Sequence, residues 1–164
     1  MSTPSRLTVG RTSTGFLIAL EGRGTLFQSP VFQELVERCL GEEKSKVVVT
    51  LCHCEYLDST FLGCLVSLHR KHNTTGYVRL EIDAPPKQRS GLLHHVNLDS
   101  YLAFADSTPN LVGEPVEVEL TTPDREDIGK HVEQAHRHLA ELGGAEAAKF
   151  ERIAQLIAGE QGKV

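Results

Sequence analysis

The segment Lys46-Val-Val-Val-Thr-Leu-Cys52 is a nearly unbroken β-branched and apolar run. A strand that is apolar on both faces has to be covered on both, so it belongs in the middle of a sheet with a layer on each side. This run is the candidate central strand, and everything else in the chain has to supply its neighbours and its cover.

The flanking segments supply both. Leu7 to Val9 and Phe16 to Leu20 are short apolar runs separated by Arg11-Thr-Ser-Thr-Gly15, which predicts two antiparallel strands joined by a hairpin. From Ser29 to Leu40 the positions Phe32, Leu35, Val36, Cys39 and Leu40 fall on one helical face, with Ser29 and Pro30 as the expected cap and first-turn pair. Ser59 to about His72 returns to helical spacing through Leu62, Leu65, Val66 and Leu68, with Asp58 or Ser59 placed to cap the first amides. Tyr77 to Asp83 alternates in the two-residue period of a strand exposed on one side, nearer a sheet edge. After Pro85-Pro86, Lys87 to Val96 reads as a short helix burying Leu92, Leu93 and Val96, and Tyr101 to Phe104 as a further short strand.

The order strand, strand, helix, strand, helix, strand, helix, strand predicts an α/β fold: a mixed β-sheet of four to five strands with helices packed on it. We place this domain at residues 1–106. Residues 107–123, with three prolines and Gly113, read as a connecting segment in which Val116 to Leu120 is able to add an edge strand. Residues 124–164 read as a helical C-terminal extension, its two helices (Asp124 to Leu142 and Ala145 to Ala158) split by Gly143-Gly144. The stripes Ile128, Val132, Ala135, Leu139, Leu142 and Phe150, Ile153, Ala154, Ile157 must pack either on this domain or on a partner.

Composition removes several functions. With 40% hydrophobic and 24% charged residues the chain has the balance of a soluble globular protein. Met1 to Arg6 lacks the apolar run of a signal peptide and no stretch is long enough to span a bilayer, so a cytoplasmic location without membrane contact is expected. A net charge of −5, with no Lys/Arg stripe interleaved with aromatics, argues against direct nucleic-acid binding. The four cysteines, Cys39, Cys52, Cys54 and Cys64, are expected as free thiols. No phosphate-cradling glycine loop and no activated Ser/His/Asp set is recognisable, so the chain is read as a non-enzyme without cofactor or metal.

The chemistry concentrates where the buried strand runs into its helix. Val47-Val-Val-Thr-Leu followed by Tyr56-Leu-Asp-Ser-Thr-Phe-Leu-Gly-Cys-Leu65 resembles the strand-to-helix switch signature of the STAS domain family, as found in bacterial anti-sigma-factor antagonists (anti-anti-sigma factors). Leu92-Leu-His-His-Val-Asn-Leu98 is similar to that family's third helix and its turn, and Glu21-Gly-Arg-Gly24 sits where the family has its loop before the first helix. The resemblance covers roughly residues 6 to 106. It implies that Ser59, directly after Asp58, is phosphorylated by an anti-sigma factor that is a serine kinase and dephosphorylated by a PP2C-type phosphatase, with Thr60 a secondary acceptor. It implies partner contacts at Asp58, Ser59, Thr60, Phe61 and Gly24. Phe61 stands where the family usually has a glycine, and its ring reads either as an interface anchor or as a core-packing residue.

The physics suits a switch. A helix N-terminus accommodates an anion, and a phosphate there adds about −1.5 to −2 charges. Beside the Asp58 carboxylate this would repel an acidic docking surface and weaken partner binding; Asp58 is also a candidate to hold the Ser59 hydroxyl. Two other readings stay open. One is a scaffold protein of a stressosome-like STAS assembly, the tail supplying homo-oligomer contacts. The other is a small-ligand or nucleotide-binding sensor, with an anion at the helix N-termini. The remaining clusters read as structural: Cys52-His53-Cys54 alternates sides in an extended segment, His69 with His72 and His94-His95 complete no ligand set, and His131, Glu133, His136 and His138 are explained by a solvated helix face.

Overall fold

In the computed structural model, which describes residues 3–121, 123–144 and 146–161, the β-branched run becomes β3 (Lys46–Thr50), held on both sides by parallel neighbours. Met1, Ser2, Thr122, Ala145 and residues 162–164, on which parts of the terminal, connecting and tail readings fall, lie outside the described residues. β1 (Arg6–Arg11) and β2 (Gly15–Gly24) form the expected antiparallel hairpin, Leu7 opposite Leu20 and Val9 opposite Ile18. The sheet order is β5-β3-β2-β1-β6, with β4 (Cys54–Leu57) pairing the far end of β2. The middle place therefore belongs to β2, not to β3. β5 (Leu80–Asp83) closes one edge, as its alternation predicts.

The sheet has six strands instead of four to five. β4 is too short and too mixed in polarity to show a two-residue period. β6 (Val112–Val118) arises within the 107–123 segment and pairs antiparallel with β1, which covers that strand's open edge. Tyr101 to Phe104 is not a strand: it makes a single parallel bridge, Phe104 to Ile82, and its residues pack instead on the core. Lys87 to Val96 is not one regular helix either. α3 (Pro86–Gln88) runs on into a wide π-type turn at Arg89–Leu93 and a tight 3-10 turn at His94–Val96. This irregular run still buries Leu92 and Leu93, so the hydrophobic requirement is met without regular geometry.

α1 (Ser29–Leu40) and α2 (Ser59–His72) lie over the sheet, burying Phe32, Val36 and Leu40 from one and Leu62, Leu65, Val66 and Leu68 from the other. Ser29 does not cap α1. Gln28 precedes the helix, and its side-chain oxygen accepts from the backbone amide and hydroxyl of Thr25, which tightens the β2–α1 loop. The tail forms a helical hairpin, α4 (Arg125–Glu141) and α5 (Ala147–Gln161). Its apolar stripes are used within the chain: Ala135 and Leu139 are buried, and Phe150 and Ala154 close the second side. α4 rests on the outer face of α2, so α2 is enclosed between the sheet and the hairpin.

Candidate functional site

Asp58 sits where β4 ends and α2 begins, in an extended backbone conformation that lets its side chain turn back over the helix start. One carboxylate oxygen accepts the Phe61 amide at 2.8 Å and the other accepts the Leu26 amide at 2.8 Å. Asp58 thus caps α2 and ties the β2–α1 loop to it in the same stroke. It does not hold the Ser59 hydroxyl, which is turned to a histidine of α4 instead.

Ser59 is the first residue of α2 and is half-buried. Its hydroxyl is 2.8 Å from Nε2 of His136 on α4. His136 lies 2.7 Å through Nδ1 from the Val132 carbonyl, which can only accept, so Nδ1 carries a proton. In the neutral ring Nε2 is then the acceptor and Ser59 the donor. The imidazole is only 4% exposed, with the Phe150 ring of α5 at 5.9 Å on its other side. The solvated-face reading is therefore corrected for His136. His136 stands four residues after Val132 and three before Leu139, inside the apolar stripe, and that spacing is the signal by which it was detectable.

A second pair repeats the pattern. The Ser29 hydroxyl at the start of α1 is hydrogen-bonded to Nε2 of His131. Burial pushes the His131 pKa below the ordinary histidine range. Between these two pairs the helix backbones meet directly: a methyl group on Gly63 would fall inside contact distance of the Ala135 backbone. Further along, Arg70 of α2 is ion-paired with Glu141 of α4.

The other residues implied as partner contacts lie mostly inside. Thr60 is 2% exposed and Phe61 is fully buried, its ring 4.6 Å from that of Phe32. A bulky ring at 61 is thus a core residue that joins α1 to α2 and not a surface anchor. Gly24 is also buried: a Cβ there would come within 2.6 Å of Leu57 and 3.0 Å of Phe61, so the absent side chain makes room for the ring. What does reach the surface on this rim went unnoticed in the sequence. Phe27 is 53% and Tyr56 41% exposed, and the Arg23 guanidinium lies 4.2 Å above the Tyr56 ring. Arg23 stands near the end of β2, Phe27 on the β2–α1 loop and Tyr56 on β4, segments that Asp58 and the Gly24–Leu57 pairing hold together.

The cysteines are unpaired thiols. Burial raises Cys39 and Cys54 to about 11 and Cys64 further still, which leaves them protonated and poorly nucleophilic. Among the described residues no cluster of His, Cys, Asp or Glu is arranged to hold a metal ion, and no helix is long and apolar enough to cross a membrane.

A mixed sheet opening with an antiparallel hairpin, crossed by parallel β3 and β5 and leading through β4 into a capped helix, is a STAS-like fold with a C-terminal helical hairpin. Among solved structures the chain is similar to an anti-sigma factor antagonist from Mycobacterium paratuberculosis, with a TM-score of 0.54 and 17% sequence identity. The match covers 65% of this chain and 92% of that one, so about a third of this chain lies outside it. At this identity the likeness is one of fold. No protein-family model and no curated protein sequence matches the chain.

Proposed function

We propose that the protein is a phosphorylation-controlled binding switch that engages an anti-sigma factor with serine-kinase activity, and so relieves inhibition of a sigma factor. Ser59 is the phosphate acceptor. The observation that carries this reading is the position of Ser59 at the first turn of α2, beside the Asp58 cap, in a STAS-like fold. A helix N-terminus stabilises an added phosphate through its free amides and dipole. The exposed Phe27, Tyr56 and Arg23 supply the aromatic and arginine side chains that anchor protein interfaces. Phosphorylation places about two negative charges on this rim and weakens the contact, and a PP2C-type phosphatase restores it.

A serine bonded to a histidine is also part of a nucleophilic catalytic set. Here the imidazole, 4% exposed, is oriented by a backbone carbonyl instead of the carboxylate that completes such a set. The binding reading is favoured for that reason.

The test is to incubate the purified protein with ATP and each anti-sigma kinase encoded by its source organism, and to map phosphate by mass spectrometry. Phosphate on Ser59, absent in Ser59→Ala, is the expected result. Transfer to another residue, or from none of the kinases, would overturn the assignment of Ser59.

A further inference from the structure

We propose that the α4–α5 hairpin is a mask, carried on the same chain, over the Ser59 face of α2, and that hairpin docking and a phosphoryl group on Ser59 exclude one another. The inference rests on the reading of Ser59 as a phosphate acceptor and names how access to it is controlled.

Three contacts distributed along the hairpin define the mask. At Ser59 the hydroxyl is bonded to the buried His136. At Gly63, one turn further on the same face of α2, the Ala135 backbone is in direct contact. At Arg70 an ion pair to Glu141 closes the far end. A fourth tie, His131 to Ser29, fixes α4 across the start of α1. The Ser59 oxygen that would attack a nucleoside triphosphate is thus shielded by a helix.

Phosphoryl transfer forms a bond from the Ser59 oxygen to the γ-phosphorus, breaks the bond from that phosphorus to the β-phosphate bridging oxygen and releases the nucleoside diphosphate, the hydroxyl proton passing to the kinase's base. The product adds a phosphorus and three oxygens at a point where the imidazole already stands 2.8 Å from the serine oxygen. With Phe150 behind the ring and the Gly63–Ala135 contact beside it, the ring has no space to retreat into while α4 stays seated. The hairpin therefore has to leave before transfer and cannot return after it. Phosphorylation frees a pair of amphipathic helices as well as charging the rim.

The test needs no kinase, so its outcome is separate from that of the phosphate mapping. Hydrogen–deuterium exchange of the full-length wild type is compared with Ser59→Glu, which places a larger anionic group at the contact, and with Ser59→Ala, which removes only the hydroxyl. In Ser59→Glu the amides of residues 128–140 should exchange at least about tenfold faster while β2 and β3 keep their protection; Ser59→Ala should stay near wild type. Unchanged or increased protection of α4 in Ser59→Glu overturns the proposal, an increase meaning that the anion and His136 hold the hairpin in place. If Ser59→Glu loses sheet protection as well, Ala135→Glu decides: it wedges the hairpin off from its own side. Faster exchange in α4 and at the start of α2, with the sheet intact, supports the mask; an unaltered α2 start overturns it.

Discussion

At the scale of single residues, Asp58 has the clearest consequence. Its carboxylate accepts the Phe61 and Leu26 amides, so one side chain both starts α2 and fixes the loop that carries Phe27. Replacing it with alanine removes a helix cap and leaves a second amide without its partner, a loss of about 2 kcal/mol. For a chain of this size that lowers Tm by roughly 4–8 °C. Asp58→Asn retains an acceptor for the cap and should recover more than half of the loss. Thermal denaturation followed by circular dichroism measures both, and an alanine variant as stable as wild type would mean that the cap is not what holds this corner. Phe61, which the sequence left between an interface anchor and a core residue, is buried, and its place three residues before Cys64 and four before Leu65 is where that burial was legible. Its partner Phe32, and the vacancy left for it by Gly24, were not, because contacts between separate elements leave no local trace.

At the scale of elements, the seating of α4 on α2 depends on the missing side chain at Gly63. Gly63→Ala should make α2 a better helix by about 1 kcal/mol, since alanine has the higher helical propensity. It should loosen α4 by about 1–3 kcal/mol, since the methyl has no room against a backbone that cannot rotate away. The two effects have opposite signs on different helices, so hydrogen exchange separates them: protection in residues 60–70 holds or rises, and in 128–140 falls. Equal protection of α4 in variant and wild type would show that close approach is not what seats the hairpin. The hairpin of β1 and β2, the burial of β3, both sheet-covering helices and the two tail helices were readable from periodicity, because each signal lies within one element. β4 and β6 were missed or only allowed for, since a four-residue strand and an exposed edge strand carry little pattern of their own. Where the tail packs was undecidable from its stripes, which specify an apolar partner and not which one.

At the scale of the whole molecule, three half-buried histidines couple stability to acidity, two of them on the docked hairpin. Burial lowers the pKa of His131 and His138 on α4 and of His69 on α2. For His138 the nearby Glu141 works against that shift and Arg70 adds to it. In the unfolded chain a histidine begins to take up protons near its ordinary value of about 6.5. The folded protein takes them up only at lower pH, so the unfolded state binds more protons in between. Stability gained by burying these rings neutral is complete above about pH 6.5 and is lost as pH falls from there through the depressed folded values. Tm should fall between pH 7.5 and 5.5, with α4 losing exchange protection ahead of β2 and β3, and His131→Gln should flatten the dependence. A Tm that does not change over that interval would contradict burial of the neutral rings.

The pairing of β6 with β1 brings the chain back into the sheet immediately before the hairpin begins, with residues 119–124 as the connection. A hairpin lifted from α2 thus stays attached to a strand that has not moved. Its search volume is that of a short tether, which corresponds to an effective concentration on the order of millimolar for its own docking site. An outside protein competing for the same face meets a resident ligand that dilution does not remove. The apparent affinity of such a protein is its intrinsic affinity multiplied by the fraction of time the face is vacant. Threshold behaviour of this kind depends on tether length, so lengthening the 119–124 connection changes the response to a partner without altering any residue at the contact.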